Sequence, residues 1–366
     1  MTQYLYKTFY IDEIHKSGFN VEYWDCSNIS WKGISLPNTM NLQIVKKILS
    51  FEEFSKLVEE YSKYKSLFSV ELRKNQTNLP FFKILSNHNC YMIRFKMFEN
   101  CVLPISKLEI MHSIKTGKII SDIYSRLYKK IINKKIDKLY KAEGIKEYDL
   151  IFSSSGKCDI YINHPDYDKS LLDSNKNYNI ESNYIVYLDN YFPYHPDIQL
   201  NNPNFKQINI NKHYIELNRI FKYIEDKYNK KIIIAAHPKA NYINNPFDGR
   251  NIIKNDTQYL IKNSFMVLLH SSNAISFAII YDKPVVYIST SQYKKAKTEY
   301  YRMRRLSCYF KQDIITNENT FKLKIVKSDE LNKKYMYNFL TKPEIENKNN
   351  LDIIIPALLN IINNKI

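Results

Sequence analysis

Two polar turns, each placed directly after a short apolar run, constrain this chain more than any other feature. The stretch Lys231 to Thr290 reads as consecutive strand–turn–helix units. Ile232 to Ala236 is a continuous apolar run that stops at His237-Pro238-Lys239. Phe265 to Leu269 is a second run, and it stops at His270-Ser271-Ser272. Runs of this length, apolar at every position, are what a parallel strand covered on both faces requires. A helical pattern follows (Ala274, Ile275, Phe277, Ala278), and Lys283-Pro284 leads into a third run, Val285 to Ile288. The expected class is therefore α/β with parallel sheets. Ligands of open parallel sheets bind at the carboxyl ends of the strands, so both turns are expected to line one crevice. Hydroxyls at a helix start, beside unpaired backbone N–H groups, make an anion site. A histidine and a lysine on the next turn add donors and positive charge. The bare chemistry is a phosphate-binding cleft.

The chain contains only six glycines, with no GxGxxG and no P-loop, so side chains and helix ends must hold any phosphate. Three of the eight histidines precede proline (His164, His195 and His237), so the dipeptide is partly a turn habit of this chain.

The paired turns resemble the donor half of GT-B glycosyltransferases. They are most similar to bacterial sialyltransferases, polysialyltransferases and Kdo transferases that use CMP-sugars and carry an HP motif followed by a serine motif. Here the HP motif is His237-Pro238 and the serine motif is Ser271-Ser272, within a matching region of roughly residues 180–300. The resemblance implies a GT-B fold: two Rossmann-like domains facing a cleft, with a C-terminal helix crossing back. It implies that His237, Ser271 and Ser272 contact the CMP phosphate, with Pro238 and Lys239 in the same turn, and that an acidic residue between the motifs reaches the ribose. Asp256 is the nearest candidate for that residue. The sialyltransferase pattern also carries a paired-acid-glycine motif in its first domain. That motif is absent here, which leaves the general base unassigned by resemblance. Asp189, at the end of the run Tyr184 to Leu188, is the candidate carboxylate.

The expected domains are 1–180 on the acceptor side, 181–345 for the nucleotide-sugar donor, and 346–366 as the crossover helix. In the first domain Tyr4 to Lys16, Phe51 to Tyr64 and Ser121 to Ala142 read as helices, and Asn20 to Cys26 and Asp149 to Phe152 as strands. Ser153-Ser154-Ser155-Gly156 reads as an ordinary polar loop or as a turn toward the cleft. His164 to Ser182 is rich in Asp, Asn and Ser and reads as a linker. Tyr214 to Tyr228 is an amphipathic helix. Leu351 to Ile366 is apolar on most of its circumference and should be buried.

The reaction expected is transfer of a nonulosonic-acid-type sugar (sialic acid, Kdo or a relative) from a CMP-sugar to a glycan, lipid-linked or glycoprotein acceptor. The alternatives are a CDP-glycerol-type polyol-phosphate transferase, a nucleotide-sugar epimerase and a non-catalytic carbohydrate-binding protein. No cofactor beyond the donor and no metal are expected. Asp166-Tyr167-Asp168 resembles the metal-binding pair of GT-A enzymes but lies in the linker stretch. The net charge of +17 includes two basic runs, Lys129 to Lys138 and Lys294 to Arg305. The second is the better candidate for contact with an anionic acceptor or the inner face of the cytoplasmic membrane. No nucleic-acid motif accompanies the charge. The five scattered cysteines have neither zinc nor disulfide spacing, and no apolar stretch reaches membrane-spanning length, so a cytoplasmic protein is expected.

Overall fold

The computed structural model describes residues 3–30, 43–98, 119–172, 183–200 and 205–364. The chain forms two compact units. The first comprises Met1–Met97, Ile120–Pro165 and Glu344–Ile366, and the second chiefly Asp166–Pro343.

In the first unit, β1 (Tyr23–Asp25) pairs with β2 (Val45–Lys47), and β3 (Leu67–Ser69), β4 (Tyr91–Lys96), β5 (Leu150–Ser153) and β6 (Ile160–Tyr161) form a four-stranded sheet in that order. All the pairings are parallel. The helix Asn350–Asn364 belongs to this unit. Its Ile354, Leu358 and Ile361 join Ile93, Phe95, Leu150 and Phe152 in one core. At its start the fully buried Asn350 accepts from Asn163 N at 2.7 Å and donates to Tyr10 Oη at 2.9 Å. Only that stripe is buried; Leu359 is exposed, so the all-round burial expected from composition is not what forms. Two other expectations are corrected. Tyr4 to Lys16 is two helices, Gln3–Thr8 and Ile11–Lys16, separated by Tyr10 in the left-handed region at φ 53°. The first half of the supposed linker is the helix Pro165–Leu171, where Tyr167 and Asp168 are buried; 173–182 lie outside the described residues.

The second unit carries a six-stranded, wholly parallel sheet: β7 (Ile185–Leu188), β8 (Ile232–Ala236), β9 (Ile252–Lys254), β10 (Met266–Leu269), β11 (Val285–Ile288) and β12 (Ile314–Ile315). The order across the sheet is β12-β11-β10-β7-β8-β9. The chain runs outward from β7 to β9, returns to the far side of β7, and runs outward again to β12. β7, β8, β10 and β11 are buried at every position because both faces are covered. Val186, Leu188, Ile233, Val267 and Leu269 enter one core, and the alternate residues Ile185, Tyr187, Ile234, Met266 and Leu268 enter the other. The helix Ile210–Tyr228 covers the second face with Leu217, Ile220, Phe221 and Ile224. Asn209 caps its start by accepting from Lys212 N at 2.9 Å, and Asn229 ends it at φ 50°. The α/β class read from the sequence, with two parallel-sheet units and a last helix in the first, is the class the structure shows.

Candidate functional site at the reversal of the second sheet

The winding direction reverses between β7 and β10, and a reversal of this kind is where an open parallel sheet leaves a crevice at its carboxyl edge. The residues just past β7, β8 and β10 therefore define the candidate site. β8 and β10 are both neighbours of β7, so the histidine-proline and serine turns flank Asp189.

Asp189 is buried, and the fold supplies its carboxylate with donors. Tyr191 N donates to Oδ1 at 2.8 Å, Tyr242 Oη donates to Oδ2 at 2.8 Å, and the backbone N–H of His237 donates as well. Burial pushes this carboxyl up to about 6, against the pull of those donors. In the neighbouring turn, His237 O accepts from Ala240 N at 2.8 Å and His237 Nδ1 accepts from Lys239 N at 3.1 Å. An accepting Nδ1 places the hydrogen of the neutral ring on Nε2, which becomes a donor. His237 is half-buried, while Pro238 and Lys239 are exposed. The ring of His195, from another His-Pro pair, meets the His237 ring edge-on at 4.7 Å.

Past β10, His270 is fully buried. Its Nδ1 lies 2.7 Å from Ile288 O, to which it donates, and its Nε2 has no hydrogen-bond partner among the described residues. Burial lowers its pKa to about 4, so the ring is neutral. Tyr293 stacks on it at 4.1 Å. The Tyr293 hydroxyl sits 2.9 Å from Ser271 Oγ and accepts from Asn190 Nδ2 at 3.2 Å. Ser271 Oγ also lies 3.3 Å from Glu299 Oε2, and Glu299 in turn is 3.9 Å from Arg302. Arg302 donates to the Asn273 amide of the serine turn. A polar chain thus runs from Asn190 through Tyr293 and Ser271 to Glu299, Arg302 and Asn273, linking the ends of β7 and β10 to the helix Lys297–Tyr309.

Ser272 differs from the expected helix cap. Its Oγ accepts from Ala274 N at 3.2 Å, and the helix that follows is the six-residue Ile275–Ile280. The serine turn thus presents side-chain hydroxyls and turn N–H groups, not the start of a long helix. Asp256 stands past β9 at the start of the helix Thr257–Lys262. β9 is three strands from β10, or roughly 14 Å at strand spacing. The topology groups His237, Asp189 and Ser271, and sets Asp256 apart on the β8 side. The Asp166-Tyr167-Asp168 triplet is helical, and residues two apart on a helix do not face each other. Burial lifts the Asp166 carboxyl to about 7, opposed by Lys169 and a hydrogen bond with Ser276. Among the described residues no group of three or more His, Cys, Asp or Glu forms a metal cluster. No described helix is long and apolar enough to cross a membrane. Ser153 to Gly156, in the first unit, is a self-bonded turn, with Ser153 Oγ 2.7 Å from Ser155 O.

No protein-family model and no curated protein matches the sequence. Solved structures with similar backbones include the spinosyn forosaminyltransferase SpnP, at 9% identity over 96% of this chain and 93% of that one, with a TM-score of 0.45. The wall teichoic acid polymerase TagF is similar at 13% identity over 98% and 84%, with a TM-score of 0.43. The UDP-N-acetylglucosamine 2-epimerase from Rickettsia bellii is similar at 12% identity over 88% and 85%, with a TM-score of 0.39. Likeness of that depth leaves the chemistry to this chain's own side chains.

Sequence reasoning passed over Tyr242, Tyr293 and Glu299. With 31 tyrosines in the chain, no single one stands out, and Glu299 lies 28 residues beyond Ser271, its partner. The one available signal was position: Tyr293 and Glu299 follow closely on β11, whose end borders the same crevice.

Proposed function

We propose that this chain is a glycosyltransferase that takes a nonulosonic-acid-type sugar from a CMP-sugar and passes it to a glycan acceptor. The observation that carries the reading is the reversal of the second sheet, with a histidine-proline turn, a buried aspartate and a serine turn on three adjoining strand ends. In this reading the donor phosphate lies across the end of β7. His237 Nε2–H, Lys239 and Ser271 converge on it, and Arg302 adds charge from the far side of the serine turn. As the sugar departs, the phosphate gains negative charge, and donors held ready at those positions stabilise it. Ser271 must then turn its hydrogen from Glu299 or Tyr293 toward the phosphate.

The carboxylate of Asp189 has roughly four acceptor positions, and the fold fills three. We therefore assign Asp189 to hold the His237 turn in place, and its remaining acceptor position is the one that takes the acceptor hydroxyl's proton. Asp256 is proposed for the nucleotide sugar's ribose, at the β8 end of the crevice. A monophosphate leaving group carries less charge than a diphosphate, so His237, Lys239 and Arg302 suffice without a metal ion. The test is a thermal-shift screen with CMP, CDP and UDP, followed by assay of CMP release from CMP-sugars. Stabilisation by CMP above the other two supports the reading. Preference for CDP or UDP, or no response to any nucleotide, overturns it.

A further inference from the structure

A groove of about 1110 Å³ opens beside the candidate site, between the first half of the helix Ile210–Tyr228 and the loop that follows the histidine-proline turn. It exceeds the usual size of a small-molecule pocket and has room for several linked sugar rings. Four tyrosines line it: Tyr191, Tyr194, Tyr214 and Tyr242. Their rings form one cluster, with Tyr191 5.6 Å from Tyr194 and 5.3 Å from Tyr242, and Tyr194 stacked on Tyr214 at 6.5 Å. Tyr194 is 39% exposed. Asn211 and Asn244 line the same groove, and their side-chain amides make no hydrogen bond to the described chain. Arg219 lines it too, exposed and without a carboxylate partner among the described residues, while Lys222 on the same wall is paired with Asp226 and the exposed Asp248 stands across the groove on the loop after the histidine-proline turn.

We propose that this groove binds an anionic oligosaccharide and is one subsite of the acceptor, which places part of acceptor binding in the second unit and not wholly in residues 1–180, where the sequence alone puts it; the inference rests on the glycosyltransferase reading above. Tyrosine faces offer flat apolar surface to the C–H faces of sugar rings, and their hydroxyls offer polar tips. Amides without protein partners suit ring hydroxyls, which both donate and accept. Arg219 pairs with a carboxylate or phosphate on the chain, in the planar two-point manner of guanidinium groups. Ile210, Ile215 and Ile243 also expose apolar surface along the groove, but its concave shape and its asparagine amides, costly to place in lipid, make a bilayer the poorer occupant. The groove also shares a wall with the phosphate site. Tyr191 N and Tyr242 Oη both donate to Asp189, whose carboxylate accepts from the His237 backbone. A glycan lying in the groove therefore ends at the His237 turn.

The experiment compares wild type with Tyr194→Ala and Arg219→Ala, two substitutions at exposed positions. Each protein is labelled and applied to an array of acidic and neutral bacterial-surface oligosaccharides, and separately sedimented with phosphatidylglycerol vesicles. CMP thermal shifts are recorded for all three. Wild type is expected to bind acidic oligosaccharides, each substitution to reduce that signal at least tenfold, and the CMP shift to stay the same. No binding to the array, array binding that neither substitution changes, or vesicle binding that the substitutions abolish in its place overturns the proposal. Loss of the wild-type CMP shift overturns the donor reading instead, and the array result still reports on the groove.

Discussion

Replacing Asp189 with asparagine is expected to make the protein's stability respond differently to pH, with a size set by the burial of this one carboxyl. The group is displaced from an ordinary 3.8 to about 6 because burial disfavours its charged form. At about 1.36 kcal/mol per pH unit, that displacement is worth about 3 kcal/mol. A folded pKa above the unfolded one means that the unfolded chain ionises first as pH rises. The folded state holds its proton longer, so wild type loses stability between about pH 4 and 6 and levels off above the folded value. Asparagine does not titrate and has no such loss. It also has one acceptor oxygen for three donors, which costs about 1–3 kcal/mol at every pH. The variant should therefore be the less stable protein at pH 4, and by pH 7 the difference should move by about 3 kcal/mol in the variant's favour, enough to cancel or reverse it. Urea unfolding followed by circular dichroism, at steps of pH for both proteins, measures the gap, and the contributions of other titrating groups cancel in the difference. A gap that stays constant from pH 4 to pH 7 refutes the claim that burial penalises this carboxylate.

Further outcomes follow from other contacts. Arg250 grips Glu225 through two hydrogen bonds, Nε to Oε1 at 3.0 Å and Nη2 to Oε2 at 2.6 Å, with both side chains largely buried, so Arg250→Ala should cost about 3–5 kcal/mol in urea unfolding. Tyr293→Phe removes the hydroxyl that joins Asn190 to Ser271. It should cost about 1–3 kcal/mol and lower CMP affinity, which calorimetry would detect. Sugar transfer should continue in excess EDTA; if EDTA abolishes it and Mn²⁺ restores it, the metal-independent monophosphate mechanism is wrong.

The sheet of the second unit was legible because its strands are covered on both faces. Ile232–Ala236 and Val285–Ile288 coincide with the apolar runs that announced them, since no polar residue interrupts a strand with two cores. The short edge strands β9 and β12 were not legible. Ile252–Lys254 and Ile314–Ile315 bury too little to leave an apolar signature. The first unit was read less well for the same reason: β1 and β3 have no fully buried position. At the site, the sequence marked the turns because histidine-proline and serine-serine interrupt apolar runs. It did not mark what holds them. Tyr242 reaches Asp189 across 53 residues and Glu299 reaches Ser271 across 28, and no local pattern encodes a pairing at that separation. The order of the strands was equally hidden. Consecutive parallel strands were expected, but the return to the far side of β7, which creates the crevice, is a property of the fold as a whole.

The most direct test of the central claim is titration calorimetry of CMP into wild type and His237→Ala. If His237 Nε2–H donates to the phosphate, the substitution removes a charge-stabilising donor and should weaken CMP binding by about 2–4 kcal/mol, while cytidine, which lacks the phosphate, should bind both proteins alike. Equal CMP affinity in the two proteins contradicts a phosphate site at the carboxyl edge of this sheet.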